Sequence, residues 1–462
     1  MYRYIKNSIL ILLSSLIITV TSCKKFTEID PPKNSVIGKN VFTDSLSASS
    51  AVLGIYSILN SNALVTGNVS TICGLSADEL NKIGPSSDEL QIQNNSLTAD
   101  NATINSLWSS AYLTIANANA CLAGIETSTA LSKSNKDKLS GEARFLRAFG
   151  YLYLVNMFGS VPLVITNDYQ SESTKSRDSL SQVYAQILSD LTFAESVLPE
   201  RYASGTKVRA TKWAAIALLA RTYLYLGNWD QAMLKSDQVI KNSGTSLEKL
   251  SDVFLIGSNE AIWQIQKTTS RNNSPDYTLI YNFGSGFFMT KSLLDSFEPG
   301  DERMVSWTKI ENNGSDTFYY PFKYKADAYT GPTSEYTVAL RLAEQYLIHA
   351  EAATMMRSTA VAIDDLNTIR NRAALPNLSS TLSQTECVAA VEKERKIELF
   401  AEWGHRWIDL KRLPGISAPG SSRANEILTQ LKNINWQSTD QLYPIPLIDI
   451  QMNKNLTQNP GY

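Results

Sequence analysis

Four side chains near residue 400 have the types and the spacing of metal ligands. Glu398, Glu402, His405 and Asp409 follow one another at steps of four, three and four residues, which predicts that they share one face of a continuous helix. Carboxylate and imidazole groups bind zinc in proteins. The same stretch also carries Arg395, Lys396, Arg406, Lys411 and Arg412. Because opposite charges at these spacings pair along a helix, the pattern favours a ladder of ion pairs, and we predict neither a metal nor a cofactor.

A second group of residues has the chemistry of a ligand-binding surface. Residues 277–336 hold 14 of the chain's 43 aromatic residues (14 Phe, 8 Trp and 21 Tyr). Flat rings pack against the C–H faces of sugars, and planar amides and carboxylates exchange hydrogen bonds with sugar hydroxyls. The candidate ligand-binding residues here are Tyr281, Asn282, Phe283, Phe287, Trp307, Tyr319 and Tyr320. The alternative is that these rings form the core of an irregular subdomain, and the same rings and amides also bind peptides.

Polar side chains between residues 76 and 101 form a second candidate face. Asp78 and Asn81 are the residues that we predict to contact a ligand there. Further polar side chains in the segment are Glu79, Asp88, Asn94 and Asn95. Their oxygens and amides suit sugar hydroxyls or a cation. The alternative is an ordinary solvated loop.

The N-terminus has the pattern of an export signal. Arg3 and Lys6 precede an uncharged run over residues 8–20, which is too short to cross roughly 30 Å of hydrocarbon comfortably, and the run ends in VTSC. Small residues before a cysteine are what a lipoprotein signal peptidase requires, so residues 1–22 are predicted to be removed and Cys23 to carry lipid. Residues 23–40, which include Pro31 and Pro32, are predicted to form the anchor and tether. The alternative is an ordinary secretory signal in which Cys23 has no role.

The composition excludes several classes of function. Lysine and arginine number 42 against 44 acidic residues, and no basic block is present, so no nucleic acid partner is predicted. Cys73, Cys121 and Cys387 are too few and too scattered for a disulfide framework or a zinc cluster, although one disulfide pair is left open. The chain has only two histidines and lacks the Gly-x-Ser-x-Gly, His-Glu-x-x-His and phosphate-loop motifs, so we predict that it is not an enzyme.

Helical periodicity dominates the elements that would position these residues. Helices are predicted over residues 45–60, 103–126, 138–158 and 180–198. Residues 211–226 with the helix ending near Lys241 have the small-large-turn-small pattern of a tetratricopeptide hairpin, and residues 340–356 with 360–373 form a second one. A helical hairpin cannot bury its apolar face alone, so several such units must stack.

The helical pattern breaks between residues 245 and 336. Residues 259–266 alternate like a strand, and the rest is rich in Gly, Asn, Ser and Tyr. The predicted fold is mainly α, with tetratricopeptide-like stacked hairpins and an irregular, loop-rich subdomain that carries a few short strands. We predict a single domain over residues 41–462, with a helical scaffold at 41–244 and 337–462 and a ligand-facing insertion at 245–336.

Several segments resemble one protein family when they are taken in order. They are Cys23 followed by Asp30-Pro31, EARFLRAFGYLYLVNMFGSVPLV at 142–164, LARTYLYLGNWDQA at 219–232, NEAIWQIQ at 259–266, LLDSFEPGDER at 293–303, RLAEQYLIHAEA at 341–352, ERKIELFAEWGHRWIDLKRL at 394–413 and YPIPLIDIQMNKNLTQNPGY at 443–462. With these segments the chain resembles the SusD/RagB family of outer-membrane lipoproteins, over essentially its whole mature length.

The resemblance implies a function as well as a fold. Family members are expected to bind glycan on a loop-rich face and to cap a SusC-like, TonB-dependent outer-membrane transporter. The expected function is therefore a non-catalytic, surface-exposed lipoprotein that captures an oligosaccharide or polysaccharide and delivers it to such a transporter. One alternative is a lid or gating subunit of the same transporter type with peptide or other non-sugar cargo. A further alternative is a surface glycoside hydrolase, which requires two carboxylates at a defined separation that sequence spacing does not report.

Overall fold

The computed structural model describes residues 41–65, 68–266, 273–276, 280, 283–417, 420–432 and 435–462. Cys23 and the rest of the predicted signal and tether lie outside the described residues, as do Tyr281 and Asn282. The fold is mainly helical with a few short strands, as predicted. Within the described ranges, no helix combines the length and the apolar character that crossing a bilayer requires.

The first half of the chain is helical. Its helices are α1 (Ser45–Ser61), α2 (Asn68–Ser76), α3 (Ser87–Gln93), α4 (Ala102–Thr127), α5 (Lys133–Phe158), α6 (Tyr169–Glu172), α7 (Leu180–Val197), α8 (Lys212–Tyr225) and α9 (Trp229–Asn242). Helix α5 begins five residues before the predicted start at Lys138. Its polar first turn is stabilised because the Ser132 hydroxyl caps it by accepting a hydrogen bond from the Asn135 amide.

The described residues contain six strands, which form three antiparallel pairs. They are β1 (Leu80–Lys82) with β3 (Phe287–Met289), β2 (Ala261–Ile265) with β6 (Thr337–Arg341), and β4 (Thr308–Asn313) with β5 (Asp316–Pro321). The short helices α10 (Lys291–Leu294) and α11 (Glu302–Ser306) lie between β3 and β4. Every residue of β2 and β6 is buried, so this pair lies inside the core. Strand β2 belongs to the predicted insertion and β6 begins the second scaffold segment, so their pairing joins these two parts of the chain.

The last part of the chain is helical again. It contains α12 (Leu342–Met355), α13 (Thr359–Arg372), α14 (Gln384–Glu398), α15 (His405–Arg412), α16 (Arg423–Lys432) and α17 (Leu447–Met452). The buried cysteines Cys73, Cys121 and Cys387 are free thiols, so the disulfide that the sequence left open does not form among them.

Both predicted helical hairpins are present. Helices α8 and α9 are joined by a turn in which Gly227 has a φ of +68°, and the Asn228 side chain caps α9 by accepting from the Gln231 amide. Helices α12 and α13 are joined at Arg357, which also has a positive φ. Successive helices pack side by side in the order α4, α5, α7, α8, α9, α12 and α13. The stack gives each helix the apolar neighbour that a lone hairpin lacks.

The predicted single helical face near residue 400 is wrong. Helix α14 ends at Glu398 and α15 begins at His405, because Ala401, Trp403 and Gly404 between them have positive φ values that a helix does not allow. The predicted ladder along one helix is wrong for the same reason, although the carboxylates do form ion pairs. Asp409 pairs with Arg395 and Arg412, as the sequence suggested, whereas Glu398 and Glu402 pair with Arg341 of β6.

Candidate functional site

The pairing of β1 with β3 brings the two predicted ligand faces together. Asn81 lies opposite Phe288 and Lys82 lies opposite Phe287, although about two hundred residues separate them along the chain. Two hydrogen bonds to the Asp78 segment extend the junction: the Thr290 hydroxyl donates to the Asp78 carbonyl at 2.5 Å, and the Ser292 hydroxyl donates to the Asp78 carboxylate at 2.9 Å. The polar 76–101 segment and the start of the aromatic-rich segment therefore form one region.

The β4–β5 hairpin extends this region. The Phe318 ring on β5 lies 4.5 Å from the Phe288 ring on β3, centroid to centroid. Across the hairpin, Ile310 pairs with Tyr319, and Ile310 is 52% exposed whereas Tyr319 is half-buried. The hairpin thus presents apolar and aromatic surface next to the β1–β3 pair.

A cavity of about 360 Å³ opens beside β1. The side-chain amides of Asn81, Gln93, Asn94 and Asn435 line it, together with the Thr290 and Ser292 hydroxyls and the Lys291 and Lys432 ammonium groups. We call it the amide cavity. Asn81, Asn94 and Asn435 are exposed, so their amides are open to a ligand. Each amide carries both a donor and an acceptor, which matches the hydroxyl groups of a carbohydrate.

Asp78 fixes the position of this wall of the cavity. Its carboxylate is buried and pairs with Arg406 Nε at 2.7 Å and with Lys396 Nζ at 2.7 Å. Burial alone would raise the pKa of the Asp78 carboxyl, but Arg406 and Lys396 hold that pKa well below its usual range. The predicted role of Asp78 in contacting ligand is therefore corrected: both of its oxygens are taken by helices α14 and α15 and by Ser292, and it positions β1 instead.

Lys432 also lines the amide cavity. Its ammonium group donates to the carbonyls of Leu75 and Ser76 at the end of α2, where backbone carbonyls lack helical partners. Burial lowers the pKa of Lys432 to about 7. Two lining residues are thus fixed in place, Lys432 by backbone carbonyls and Asp78 by ion pairs.

Three of the predicted ligand-binding aromatics are core residues. Trp307 has no exposed surface, its indole N–H donates to the Leu250 carbonyl at 2.9 Å, and the Lys323 ammonium lies 4.7 Å from its ring centroid. Phe287 and Tyr320 are 5% and 2% exposed. A buried ring offers no face to a sugar, so the core alternative holds for these three residues. Phe283 begins a short 3₁₀ turn at 283–285, and Tyr281 and Asn282 lie outside the described residues.

Comparison with known proteins identifies the chain. The family model described as starch-binding and associating with the outer membrane matches residues 48–224, and the model of the SusD family matches residues 305–462. Together they cover both parts of the helical scaffold. The chain belongs to the SusD/RagB family. The predicted resemblance is therefore confirmed.

Relatives of this SusD/RagB protein match it over different shares of its length. SusD-like protein P2 of Formosa agariphila is 25% identical over 97% of this chain and 98% of its own length. The starch-binding protein SusD of Bacteroides thetaiotaomicron is 33% identical over 26% of this chain and 21% of its own length.

Solved structures share the fold. A SusD superfamily protein from Bacteroides vulgatus superposes with a TM-score of 0.79 at 21% identity, covering 91% of this chain and all of that one. A laminarin-binding SusD-like protein superposes with a TM-score of 0.75 at 24% identity, over 91% of this chain and all of that one.

Several cavity residues of this SusD/RagB protein escaped the sequence analysis. Gln93 accepts a hydrogen bond from the Lys82 amide, which fixes its side chain against β1. Thr290 and Asn435 come from distant parts of the chain, and Thr290 caps α10 by accepting from the Leu293 amide. The position of Thr290 directly after a short aromatic strand was the available signal, because polar side chains at strand ends often face a site. Nothing in the sequence near Asn435 indicates its neighbours.

Proposed function

We propose that this SusD/RagB protein is a non-catalytic surface lipoprotein that binds an oligosaccharide or polysaccharide at the amide cavity and passes it to a SusC-like, TonB-dependent transporter. The observation that carries the proposal is the amide cavity, where the side chains of Asn81, Gln93, Asn94 and Asn435 converge beside an aromatic hairpin. Such sites bind by orienting several polar groups toward one ligand.

The amides of this cavity suit the hydroxyl groups of a sugar chain. Amides donate and accept at once, so they can bind hydroxyls in either orientation, beside the ammonium groups of Lys291 and Lys432. Tyr319 and Ile310 on the neighbouring hairpin supply surface for the apolar faces of the rings. A site of this kind requires no acid, base or nucleophile, which supports a binding role rather than hydrolysis.

The membrane and transporter parts of the proposal rest on the N-terminus and the family. The VTSC sequence at residues 20–23 supports lipid attachment at Cys23, and the outer-membrane association in the family description supports the location. The match of one segment to the starch-binding SusD protein supports a glycan as cargo. A protein tethered by lipid at the cell surface is placed to hand its cargo to a pore in the same membrane.

The binding proposal predicts saturable binding of at least one intact glycan to the mature lipoprotein in detergent. Isothermal calorimetry against β-glucans, starch oligosaccharides and peptides measures it. The double substitution Asn81→Ala with Asn94→Ala should weaken glycan binding about tenfold or more, because each removes a hydrogen bond of roughly 0.5–1.5 kcal/mol. The matched control is Asn371→Ala, which removes an exposed amide on α13.

Three results would contradict parts of this proposal. Equal losses in the Asn81/Asn94 and Asn371 variants would remove the amide cavity as the site. Heat from peptides with none from any glycan would favour the lid with non-sugar cargo. Shortened glycan products in the calorimeter cell, separated by chromatography, would show a hydrolase.

The anchoring proposal predicts that Cys23→Ala abolishes both lipid attachment and signal removal, because the lipoprotein signal peptidase requires the cysteine that carries the lipid. Cells that express each form are labelled with a radioactive fatty acid, and the purified protein is then examined for label and for size. Ser22→Ala is the matched control, because alanine is also a small residue and keeps the cleavage pattern, so this variant should be labelled and processed like the native protein. A Cys23→Ala protein that still incorporates the fatty acid would show that the lipid is not on Cys23.

A further inference from the structure

A second cavity lies on the helical scaffold, with lining residues that are all different from those of the amide cavity. It has a volume of about 260 Å³ and is bounded by the segments after α7 and α9, the start of α8 and strand β2. Arg201, Tyr202, Lys207, Trp213 and Asn259 contribute its functional groups. We call it the Trp213 cavity.

Two cations of the Trp213 cavity have no carboxylate partner. Lys207 Nζ donates to the backbone carbonyls of Ser258 at 2.8 Å and Asn259 at 3.2 Å, and the Arg201 side chain is exposed. Within the described part of the chain, neither cation has a carboxylate within ion-pair distance. Gly244 allows the Arg201 guanidinium to lie over the end of α9, since a β-carbon there would come within 2.7 Å of Arg201 Nη2.

The carboxylates near this cavity are already engaged. Glu200 pairs with Lys212 at 3.1 Å, and Glu248 accepts from the backbone amide of Asn259 at 3.0 Å and from its side-chain amide at 2.7 Å. Burial lowers the pKa of Lys207, Arg201 lowers it further, and Glu248 opposes both effects. The cavity therefore holds more positive charge than its surroundings neutralise.

Aromatic rings complete the Trp213 cavity. The Tyr202 ring carries cations on its faces, with the Lys138 ammonium 5.2 Å and the Arg209 guanidinium 4.7 Å from its centroid. Trp213 also lines an adjoining cavity of about 470 Å³, and Glu200 lines both cavities as well. In that adjoining space, Gln238 Oε1 is buried and has no hydrogen-bond partner among the described residues.

We propose that the Trp213 cavity is a second saccharide site that takes an acidic sugar, with Arg201 and Lys207 binding its carboxylate. Guanidinium and ammonium donors form charge-assisted hydrogen bonds to a carboxylate, and the Asn259 amide lies beside them for a ring hydroxyl. The volume of about 260 Å³ lies just below the roughly 300–1,000 Å³ usual for ligand cavities, so this space suits a single sugar residue rather than a longer chain. The adjoining cavity across Trp213 accommodates the next residue of the chain, with Gln238 Oε1 as an acceptor for its hydroxyl. This site goes beyond the proposed function, because it selects for charge and lies apart from the amide cavity.

The test uses trigalacturonate and its methyl ester as probes for the mature lipoprotein in detergent. Isothermal calorimetry at low salt should show saturable binding of trigalacturonate and at least tenfold weaker binding of the uncharged ester. Arg201→Gln with Lys207→Gln should weaken trigalacturonate binding at least tenfold. Lys133→Gln is the matched control, since it removes an exposed cation on α5 and should change nothing. Because Arg201 is exposed, Arg201→Gln alone keeps the fold and should still lower the affinity several-fold.

Several outcomes would overturn the acidic-sugar site. They are the absence of saturable binding of trigalacturonate, equal binding of the acid and the ester, and unchanged affinity in the Arg201/Lys207 variant. The Asn81/Asn94 variant separates this site from the amide cavity. It should bind trigalacturonate normally, and if it alone loses that binding, the acid binds at the amide cavity and the second site is wrong.

Discussion

Replacing Arg341 with methionine is expected to lower the free energy of unfolding by roughly 3–5 kcal/mol, the usual cost of removing one partner from a buried ion pair. Arg341 is 2% exposed at the end of β6. Its guanidinium lies 3.0 Å from Glu260, 2.6 Å from Glu398 and 2.9 Å from Glu402, and it also donates to the Glu398 carbonyl at 2.7 Å. Methionine fills a similar volume but leaves these acceptors without that cation.

In the Arg341→Met protein, each of the three carboxylates keeps another cation as a partner, which limits the expected loss of unfolding free energy. Arg372 pairs with Glu260 at 2.6 Å, Arg303 pairs with Glu398 at 3.0 Å, and Lys323 pairs with Glu402. Arg341 is nevertheless the cation that contacts all three carboxylates and joins β6 to the segment after α14. The loss should therefore appear as a lower denaturation midpoint of the whole domain.

Urea denaturation followed by circular dichroism measures the effect of Arg341→Met. The matched control is Lys133→Met, because Lys133 pairs with Asp137 but its side chain is 88% exposed. An exposed pair of this kind contributes about 0–1 kcal/mol. If the two variants lose stability equally, the buried network does not hold the domain together, and the ion pairs near residue 400 are incidental.

Local patterns predicted the scaffold because the forces that form it act over short distances. Gly227 between two helical runs, with Ala220 and Ala232 on either side, indicates a close turn and close helix packing. The predicted helix at 211–226 is observed at Lys212–Tyr225, and the predicted strand at 259–266 is observed at Ala261–Ile265. The break after Glu398 was missed although Gly404 was an available signal, because glycine readily adopts a positive φ. The positive φ values of Ala401 and Trp403 depend on tertiary contacts and leave no trace in residue type.

The candidate site depends on contacts that sequence does not encode locally. The sequence shows correctly that residues 277–336 are rich in aromatic residues. Whether a given ring is buried or faces solvent depends on which other segments of the chain pack against it. Trp307 is covered by residues from elsewhere in the chain, whereas Tyr319 remains half-buried on the hairpin surface. The pairing of Asn81 with Phe288 joins two segments about two hundred residues apart, and no periodicity predicts such a register.

Glu79→Gln is expected to stabilise the protein at pH 8 and to have little effect near pH 4.5. Glu79 is 1% exposed, next to Asp78 and at the edge of the amide cavity, and its Oε1 has no hydrogen-bond partner among the described residues. Burial raises the pKa of Glu79 to about 8, and the negative charge of Asp78 raises it as well. The charged groups that oppose this rise are Arg406, Lys323 and Lys396.

The sign of the Glu79 effect follows from proton linkage. The pKa of Glu79 is higher in the folded protein than the ordinary value of 4.5, so the folded state holds a proton that the unfolded state releases. This contribution to stability is complete below pH 4.5 and is lost as the pH rises to about 8. At about 1.36 kcal/mol per pKa unit, the loss at pH 8 is at most roughly 5 kcal/mol. Glutamine has the shape of the protonated acid and cannot ionise. The Glu79→Gln protein should therefore not lose this stability as the pH rises.

Urea denaturation of the native and Glu79→Gln proteins at intervals between pH 4.5 and 9 measures this effect. The difference between the two curves is the informative quantity, because other groups titrate in the same range; burial lowers the pKa of Lys323 to about 8, for example. Glu89→Gln on α3 is the matched control, since Glu89 is half-buried in the same segment and pairs with Lys82 at 3.4 Å. Parallel curves for the native and Glu79→Gln proteins would show that Glu79 ionises normally. A gap that widens from pH 4.5 to pH 8 and is then constant would show that Glu79 is a buried acid that lowers the stability of the protein when it ionises.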